Sequence, residues 1–151
     1  MTTIRAEGSL YIDAPAASVY EILADYRERH PGILPPAFSN VKVEAGGVGA
    51  GTIVRFDVKI GGTKRTVRAA ITEPQPGRVL VETDLDRGAV TTFEIDPRGQ
   101  QACEVTILTE WQTPGLRGVV ERWVAPPKLQ ALYREELRNL QMAAESAVTA
   151  H

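Results

Sequence analysis

The chain has 151 residues, of which 43% are hydrophobic and 24% are charged. These values are ordinary for a globular protein, and the length fits one domain, residues 1–151, that buries about two-thirds of its unfolded surface. A formal net charge of −2 argues against nucleic acid as a partner, because nonspecific phosphate binding needs a positive field. The single cysteine, Cys103, excludes an internal disulfide and favours a reducing, cytoplasmic setting.

The first residues, Met1 to Glu7, contain no apolar signal region. No later stretch approaches the ~20 apolar residues that a membrane span requires. We therefore expect no stable membrane insertion and a mature chain that is the whole chain.

A strand and a short helix are predicted at the N-terminus. The strand runs from near Ile4 to Ile12, and Pro15 then suits the first turn of a helix. Apolar residues follow at helical spacing: Val19, Ile22, Leu23 and Tyr26. Asp25 and Glu28 have the spacing of a capping box, which predicts a second helical turn that His30-Pro31-Gly32 ends.

The middle of the chain is predicted to form β-hairpins. Gly61-Gly62 is a two-residue turn signal between the runs Thr52–Ile60 and Thr63–Thr72, which are rich in β-branched residues. Three more reversals are marked by the segments 74–77, 86–88 and 96–99. Because short loops join antiparallel neighbours, we count about six strands here besides the N-terminal one.

A long helix, Leu116 to Ala147, is predicted at the C-terminus. Its apolar stripe, broken only by Glu136, consists of Leu129, Leu132, Tyr133, Leu137, Leu140 and Ala144. Pro126-Pro127 should kink the helix or divide it into a short piece, Leu116–Val124, and a longer C-terminal piece.

Strand alternation predicts which face of the sheet is buried. Arg55, Asp57 and Lys59 interrupt an apolar series, which makes one face of that strand apolar and the other wet. The predicted inner face consists of Val54, Phe56, Val58, Ile60, Val67, Ala69, Ile71, Phe93, Ile95, Val105, Ile107, Thr109 and Trp111. If one helix does not fill a strongly curved sheet, an apolar cavity with a few polar tips remains. The polar tips expected there are Tyr26, His30, Thr91, Thr109 and Tyr133.

The segment IDAPAASVYEILAD, residues 12–25, resembles the opening of the START-like (SRPBCC) superfamily, and most closely its polyketide cyclase/dehydrase-type branch. The order of elements is similar too. The resemblance implies the Bet v 1-like helix-grip fold, an α+β fold in which a curved seven-stranded antiparallel sheet wraps a long C-terminal helix and two short helices follow the first strand. Members are variously lipid carriers, hormone or metabolite binders, cyclases, chaperone activators and oxygenase domains, so the resemblance implies fold and leaves the chemistry open.

Neither a metal nor another cofactor is expected. The oxygenase branch needs an iron site built from histidines and a carboxylate. The histidines of this chain are His30 and His151, the latter at the last residue, and they do not supply such a site.

Three residues are weak catalytic candidates. His30 suits proton transfer near neutrality, and the alternative is a structural role at a helix end. Tyr133 either offers a hydroxyl to a ligand or packs in the core with a wet tip. Arg65 shares the strand parity of Val67, although its place beside a turn favours the rim.

Other residues have competing interpretations. Trp111 and Trp123 flank the crossing from sheet to helix and either contact a planar ligand or pack at the cavity mouth. Arg55, Asp57 and Glu110 are expected on the outer face, and Cys103 as a small buried hydrophobe. The glycine-rich segment 46–51 lacks phosphate-loop spacing and is expected to be a hairpin loop, with a gating role left open.

The sequence favours a module that binds a small hydrophobic or aromatic metabolite, lipid-like or polyketide-like. The predicted contact residues are Tyr26, Phe56, Val58, Val67, Phe93, Ile107, Trp111, Trp123, Tyr133 and Leu137. One alternative is an enzyme of the cyclase, aromatase or dehydratase type, and another is a protein-interaction module. The identity of the ligand and the existence of a homodimer stay open.

Overall fold

A computed structural model describes the backbone of residues 1–149 and the side chains of residues 1–114 and 125–149. The chain begins with strand β1 (Thr2–Ile12), helix α1 (Ala16–Ala24) and a short 3₁₀ helix (His30–Ile33). Six strands follow: β2 (Phe38–Ala45), β3 (Ile53–Ile60), β4 (Thr63–Gln75), β5 (Val79–Asp84), β6 (Val90–Pro97) and β7 (Cys103–Thr113). Helix α2 (Gly115–Thr149) ends the described chain.

The seven strands form one antiparallel sheet in the order β1-β7-β6-β5-β4-β3-β2. Consecutive strands from β2 to β7 are neighbours, as hairpin connections require. β1 pairs with β7, so the helical segment between β1 and β2 crosses from one edge of the sheet to the other. The helix-grip fold with its curved sheet is therefore confirmed.

The predicted alternation of the strands is also confirmed. In β3, Val54 and Val58 are buried, whereas Arg55 and Lys59 are exposed. The buried residues of β6 and β7 continue the same face. Cys103 is fully buried, and burial raises the pKa of its thiol to about 11.

Helix α2 packs along β1, at one edge of the sheet, with fewer contacts to the adjacent β7. Gly8 permits this close approach: a Cβ atom there would lie 3.3 Å from Cβ of Tyr133 and 3.7 Å from Cδ1 of Leu137. Since the helix follows the β1 edge, it leaves the inner face of β3 to β6 without full cover. The placement of α2 thus creates the space for a cavity.

The structure corrects the predicted division of the C-terminal helix. α2 continues through Pro126 and Pro127 without interruption. A proline removes its own N–H donor and its ring crowds the carbonyl of the preceding turn, but the hydrogen bonds of the turns on either side carry the helix onward.

Two further boundaries differ from the predicted ones. The residues His30 and Pro31 do not end a helical turn but lie within the 3₁₀ helix, whose first turn tolerates the proline. Strand β4 continues past Thr72 to Gln75, and a register shift between these residues accommodates Pro74.

Across the described residues, none of the helices has the length and apolar composition needed to cross a membrane.

Candidate functional site

A cavity of about 1010 Å³ lies between the inner face of the sheet, α2 and the 3₁₀ helix. Its walls are mainly apolar. The sheet contributes Val54, Phe56, Val58, Ile60, Val67, Ala69, Phe93, Ile107 and Trp111; α2 contributes Ala125 and Leu129, and Leu34 follows the 3₁₀ helix. The helix that grips the sheet therefore leaves room for a ligand.

Most of the predicted contact residues line this cavity. They are Tyr26, Phe56, Val58, Val67, Phe93, Ile107, Trp111 and Tyr133. Leu137 lies instead in the core, where its side chain faces Gly8. Trp123 falls outside the residues whose side chains are described. Ligand contact by these residues stays a prediction.

A hydrogen-bonded pair occupies the buried end of the cavity. The hydroxyl of Tyr26 donates to Oε2 of Glu82 over 2.6 Å. The ring of His30 stacks on Tyr26, with centroids 4.4 Å apart, and meets the edge of Phe93. Burial, followed by the charge of Glu82, raises the pKa of Tyr26 well above 10, so this phenol keeps its proton.

The orientation of the His30 ring follows from its neighbours. Nδ1 lies 2.7 Å from the carbonyl oxygen of Leu23, and since a carbonyl only accepts, Nδ1 carries a proton. Nε2 faces the carboxylate of Glu82, with 3.9 Å between Nε2 and Oε2. The ring thus caps a carbonyl of α1 and presents Nε2 beside a carboxylate, while a role of His30 in proton transfer stays a prediction.

Glu136 is the most deeply buried carboxyl group of the site. The residue is 4% exposed and lines the cavity, and its Oε2 has no hydrogen-bond partner among the described residues. Burial, assisted by the charge of Glu82, raises the pKa of Glu136 well above 4.5. We call Tyr26, His30, Glu82 and Glu136 the polar cluster.

A chain of hydroxyl groups lies near the polar cluster. Tyr133 is hydrogen-bonded to Thr109, and Thr109 to Thr91 over 2.7 Å. Burial is the main cause that raises the pKa of Tyr133. Three of the predicted polar tips are therefore linked to one another on the cavity wall.

The glycine-rich loop 46–51 positions Tyr26. The backbone N–H of Tyr26 donates to Gly47 O, and that of Gly49 donates to Ala24 O, both over 2.9 Å. Gly47 is held in turn by the buried side chain of Thr52. The loop holds the end of α1 by these hydrogen bonds. Its residues do not line the cavity, so its position does not support a gating role.

The opposite end of the cavity is exposed and carries both signs of charge. Arg65, Arg87 and Lys128 line it together with Asp84. The predicted rim position of Arg65 agrees with this placement. The three outward-facing charges of the prediction, Arg55, Asp57 and Glu110, do not line the cavity.

Sequence reasoning missed Glu82 and gave no role to Glu136. Glu82 has the same strand parity as the buried Leu80, and this alternation was a usable signal. Glu136 was visible as the break in an apolar helical stripe. A carboxyl group on a face that is otherwise buried was the clue in both cases.

Among the described residues, no three His, Cys, Asp or Glu side chains are grouped as they would be to hold a metal ion.

The sequence matches the family described as polyketide cyclase/dehydrase and lipid transport over residues 3–145. The chain belongs to this family. The resemblance seen in residues 12–25 is therefore confirmed along nearly the whole chain. No curated protein matches the sequence significantly.

Solved structures show the same fold over their full lengths. The KanY protein, determined by NMR, is 28% identical, with a TM-score of 0.83 over 96% of this chain and 99% of its own. TTHA0849 from Thermus thermophilus is 22% identical, with a TM-score of 0.74 over 96% and 98% of the two chains. The ZhuI aromatase/cyclase from Streptomyces sp. R1128 is 18% identical, with a TM-score of 0.72 over 97% and 96%.

Proposed function

We propose that this protein binds a small, largely apolar molecule, lipid-like or aromatic, in the cavity between the sheet and α2. The observation that carries the proposal is the cavity of about 1010 Å³ with mainly apolar walls. Ligand sites commonly have volumes of about 300–1,000 Å³, apolar linings and a few placed polar groups. This cavity has all three properties.

The walls would supply most of the affinity. Burial of apolar surface contributes roughly 25 cal/mol per Å², part of which offsets the cost of association. Phe56, Phe93 and Trp111 offer aromatic surface, which suits planar ligands. The family description, which includes lipid transport, supports the same class of ligand.

A pair of tryptophan substitutions tests the proposal. Val58 and Lys59 are neighbours on β3, but Val58 lines the cavity and Lys59 is exposed on the outer face. We expect wild type and Lys59→Trp to bind the neutral dye 1,6-diphenylhexatriene, seen as a rise in its fluorescence, and Val58→Trp to bind it at least tenfold more weakly. Equal binding by both variants would place the dye outside the cavity and contradict the proposal.

A second candidate function is acid–base catalysis on a carbonyl compound in the same cavity. The observation that favours it is the Nε2 atom of His30, 3.9 Å from a Glu82 carboxylate that Tyr26 holds in place. The Nε2 atom of His30, the carboxylate of Glu82 beside it and the carboxyl group of Glu136 all line one cavity, and groups of these types can carry proton transfer next to a carbonyl. The cyclase and dehydrase members of the family give this chemistry a precedent.

Deuterium exchange tests the catalytic candidate. In D₂O, we expect the wild-type protein to speed hydrogen exchange at the methyl group of 2-acetylnaphthalene, followed by mass spectrometry. His30→Asn, which keeps a donor near the position of Nδ1, should slow this exchange at least tenfold with less than a twofold change in affinity. Equal exchange rates in wild type and His30→Asn would contradict the catalytic candidate and leave ligand binding as the proposed function.

A further inference from the structure

We propose that the buried end of the cavity takes a protonated amine, so that the ligand is an apolar molecule with one primary ammonium group seated between Glu136 and Glu82. This inference rests on the proposed binding function and names the class of ligand. It is carried by the hydrogen-bonding balance of the polar cluster and by the unpartnered oxygen of Glu136.

Two donors of the polar cluster are already used within the protein. The phenol proton of Tyr26 is given to Glu82, and the Nδ1 proton of His30 is given to the carbonyl of Leu23. The groups that remain to face a ligand are the His30 Nε2 atom, the carboxylate of Glu82 and the carboxyl group of Glu136, whose oxygens both accept once its proton has left. An ammonium group supplies three donors and no acceptor, which is the complement of such a site.

Glu136 points to a ligand independently. Its Oε2 is buried, lies on the cavity wall and has no partner among the described residues. Buried polar atoms are normally hydrogen-bonded, so this oxygen is a cost that the unliganded fold carries. A donor brought by the ligand removes that cost.

The charges around Glu136 favour a cation. Glu136 interacts with Glu82 of β5, with Tyr26 of the segment after α1 and with Tyr133 of its own helix. The cavity-lining cations Arg65, Arg87 and Lys128 lie with Asp84 at the exposed mouth, and no described lysine or arginine belongs to the polar cluster.

Binding of the amine is linked to a proton. Without ligand, burial, followed by the charge of Glu82, raises the pKa of Glu136, so its carboxyl group keeps its proton to a higher pH than an exposed glutamate does. When the ammonium group enters, that proton passes to solvent and the carboxylate pairs with the cation. Amine affinity should therefore rise with pH until the amine itself loses its proton.

Matched naphthalene probes test the inference by calorimetry at pH 8. They are 2-(aminomethyl)naphthalene, 2-(hydroxymethyl)naphthalene, 2-acetylnaphthalene and 2-methylnaphthalene. We expect the amine to bind at least tenfold more tightly than the alcohol and to release a proton, seen as a dependence of the binding heat on the ionisation enthalpy of the buffer. Affinity for the alcohol and the hydrocarbon should not depend on pH.

Substitution of Glu136 locates the effect. Glu136→Gln should bring the amine to within twofold of the alcohol, whereas Glu135→Gln, which removes the same charge from the exposed side of the helix, should keep the tenfold preference. Binding of 2-methylnaphthalene shows that each variant is folded. Glu136→Met repeats the comparison with a side chain of similar length if the glutamine variant does not fold.

The other outcomes are distinguishable. Tightest binding of 2-acetylnaphthalene would mean that a neutral Glu136 donates to a carbonyl acceptor and would overturn the inference. Equal binding of amine and alcohol would also overturn it, while leaving the proposed binding function intact. If none of the four probes binds, including the hydrocarbon, the proposed function fails together with the inference.

Discussion

The hydroxyl of Tyr26 donates a 2.6 Å hydrogen bond to Oε2 of Glu82, a residue 56 positions later in the chain. The bond joins the segment after α1 to strand β5 across the buried end of the cavity. It therefore fixes the carboxylate that faces His30.

We expect Tyr26→Phe to lower the free energy of unfolding by about 1.5–3 kcal/mol, because a partly buried carboxylate loses its donor. Urea unfolding at pH 7 measures the change. Tyr11→Phe is the control, since Tyr11 is 52% exposed and should change stability by less than about 0.5 kcal/mol. Losses of equal size would show that the hydrogen bond to Glu82 adds nothing to the fold.

We expect Glu136→Gln to stabilise the protein at pH 8 more than at pH 4. The folded state raises the pKa of Glu136 above the ordinary value of 4.5. The contribution of this group is thus fully present below about pH 4.5 and is lost as the pH rises through the folded-state pKa. Removal of a buried carboxyl group whose ionisation the fold opposes should recover about 1–3 kcal/mol at pH 8.

Denaturant unfolding at the two pH values checks this prediction, with Glu135→Gln as the exposed control. A gain of the same size at pH 4 and pH 8 would mean that ionisation of Glu136 is not coupled to folding.

We expect Gly8→Val to lower the free energy of unfolding by about 1–3 kcal/mol, through overpacking. A Cβ atom at Gly8 already lies 3.3 Å from Cβ of Tyr133, and the valine methyl groups would push α2 away from β1. Ser9→Val adds the same side chain one residue later on the exposed face. Thermal unfolding of both variants measures the effect. If Gly8→Val crowds the helix contact, its melting temperature falls further than that of Ser9→Val, whereas a general effect of valine on β1 would lower both melting temperatures equally.

We expect Thr52→Val to lower the free energy of unfolding by about 1–3 kcal/mol, because the N–H of Gly47 loses its buried acceptor. Since loop 46–51 braces Tyr26, affinity for cavity probes should also fall. Thr72→Val, at an exposed strand position, is the matched control. Urea unfolding measures the change in stability, and dye titration measures the change in affinity. A loss of stability with unchanged affinity would show that loop 46–51 does not position Tyr26 for ligand binding.

Local periodicity was sufficient to predict most of the cavity wall. The alternation of β3 placed Phe56 and Val58 inside, because successive side chains of a strand point to opposite faces. The helical stripe likewise placed Tyr133 on the side of α2 that faces the sheet. These predictions depend on neighbours in sequence and not on the path of the chain.

The same reasoning failed where contacts between residues far apart in sequence determine the position of a side chain. Leu137 belongs to the predicted stripe of Tyr133, yet it packs in the core, because Gly8 brings α2 close to β1 at that turn. Local propensity also did not predict that α2 continues through Pro126 and Pro127, because proline favours a break in a helix.

The sequence by itself determined the order of the elements, the inner and outer faces of the strands and the family, since each is a property of short segments or of their order. Only the tertiary structure decided that Tyr26, His30, Glu82 and Glu136 meet. Their encounter depends on how the sheet curves and on which edge α2 follows. That edge is β1, so the inner face of β3 to β6 stays open and the buried carboxyl groups face a cavity.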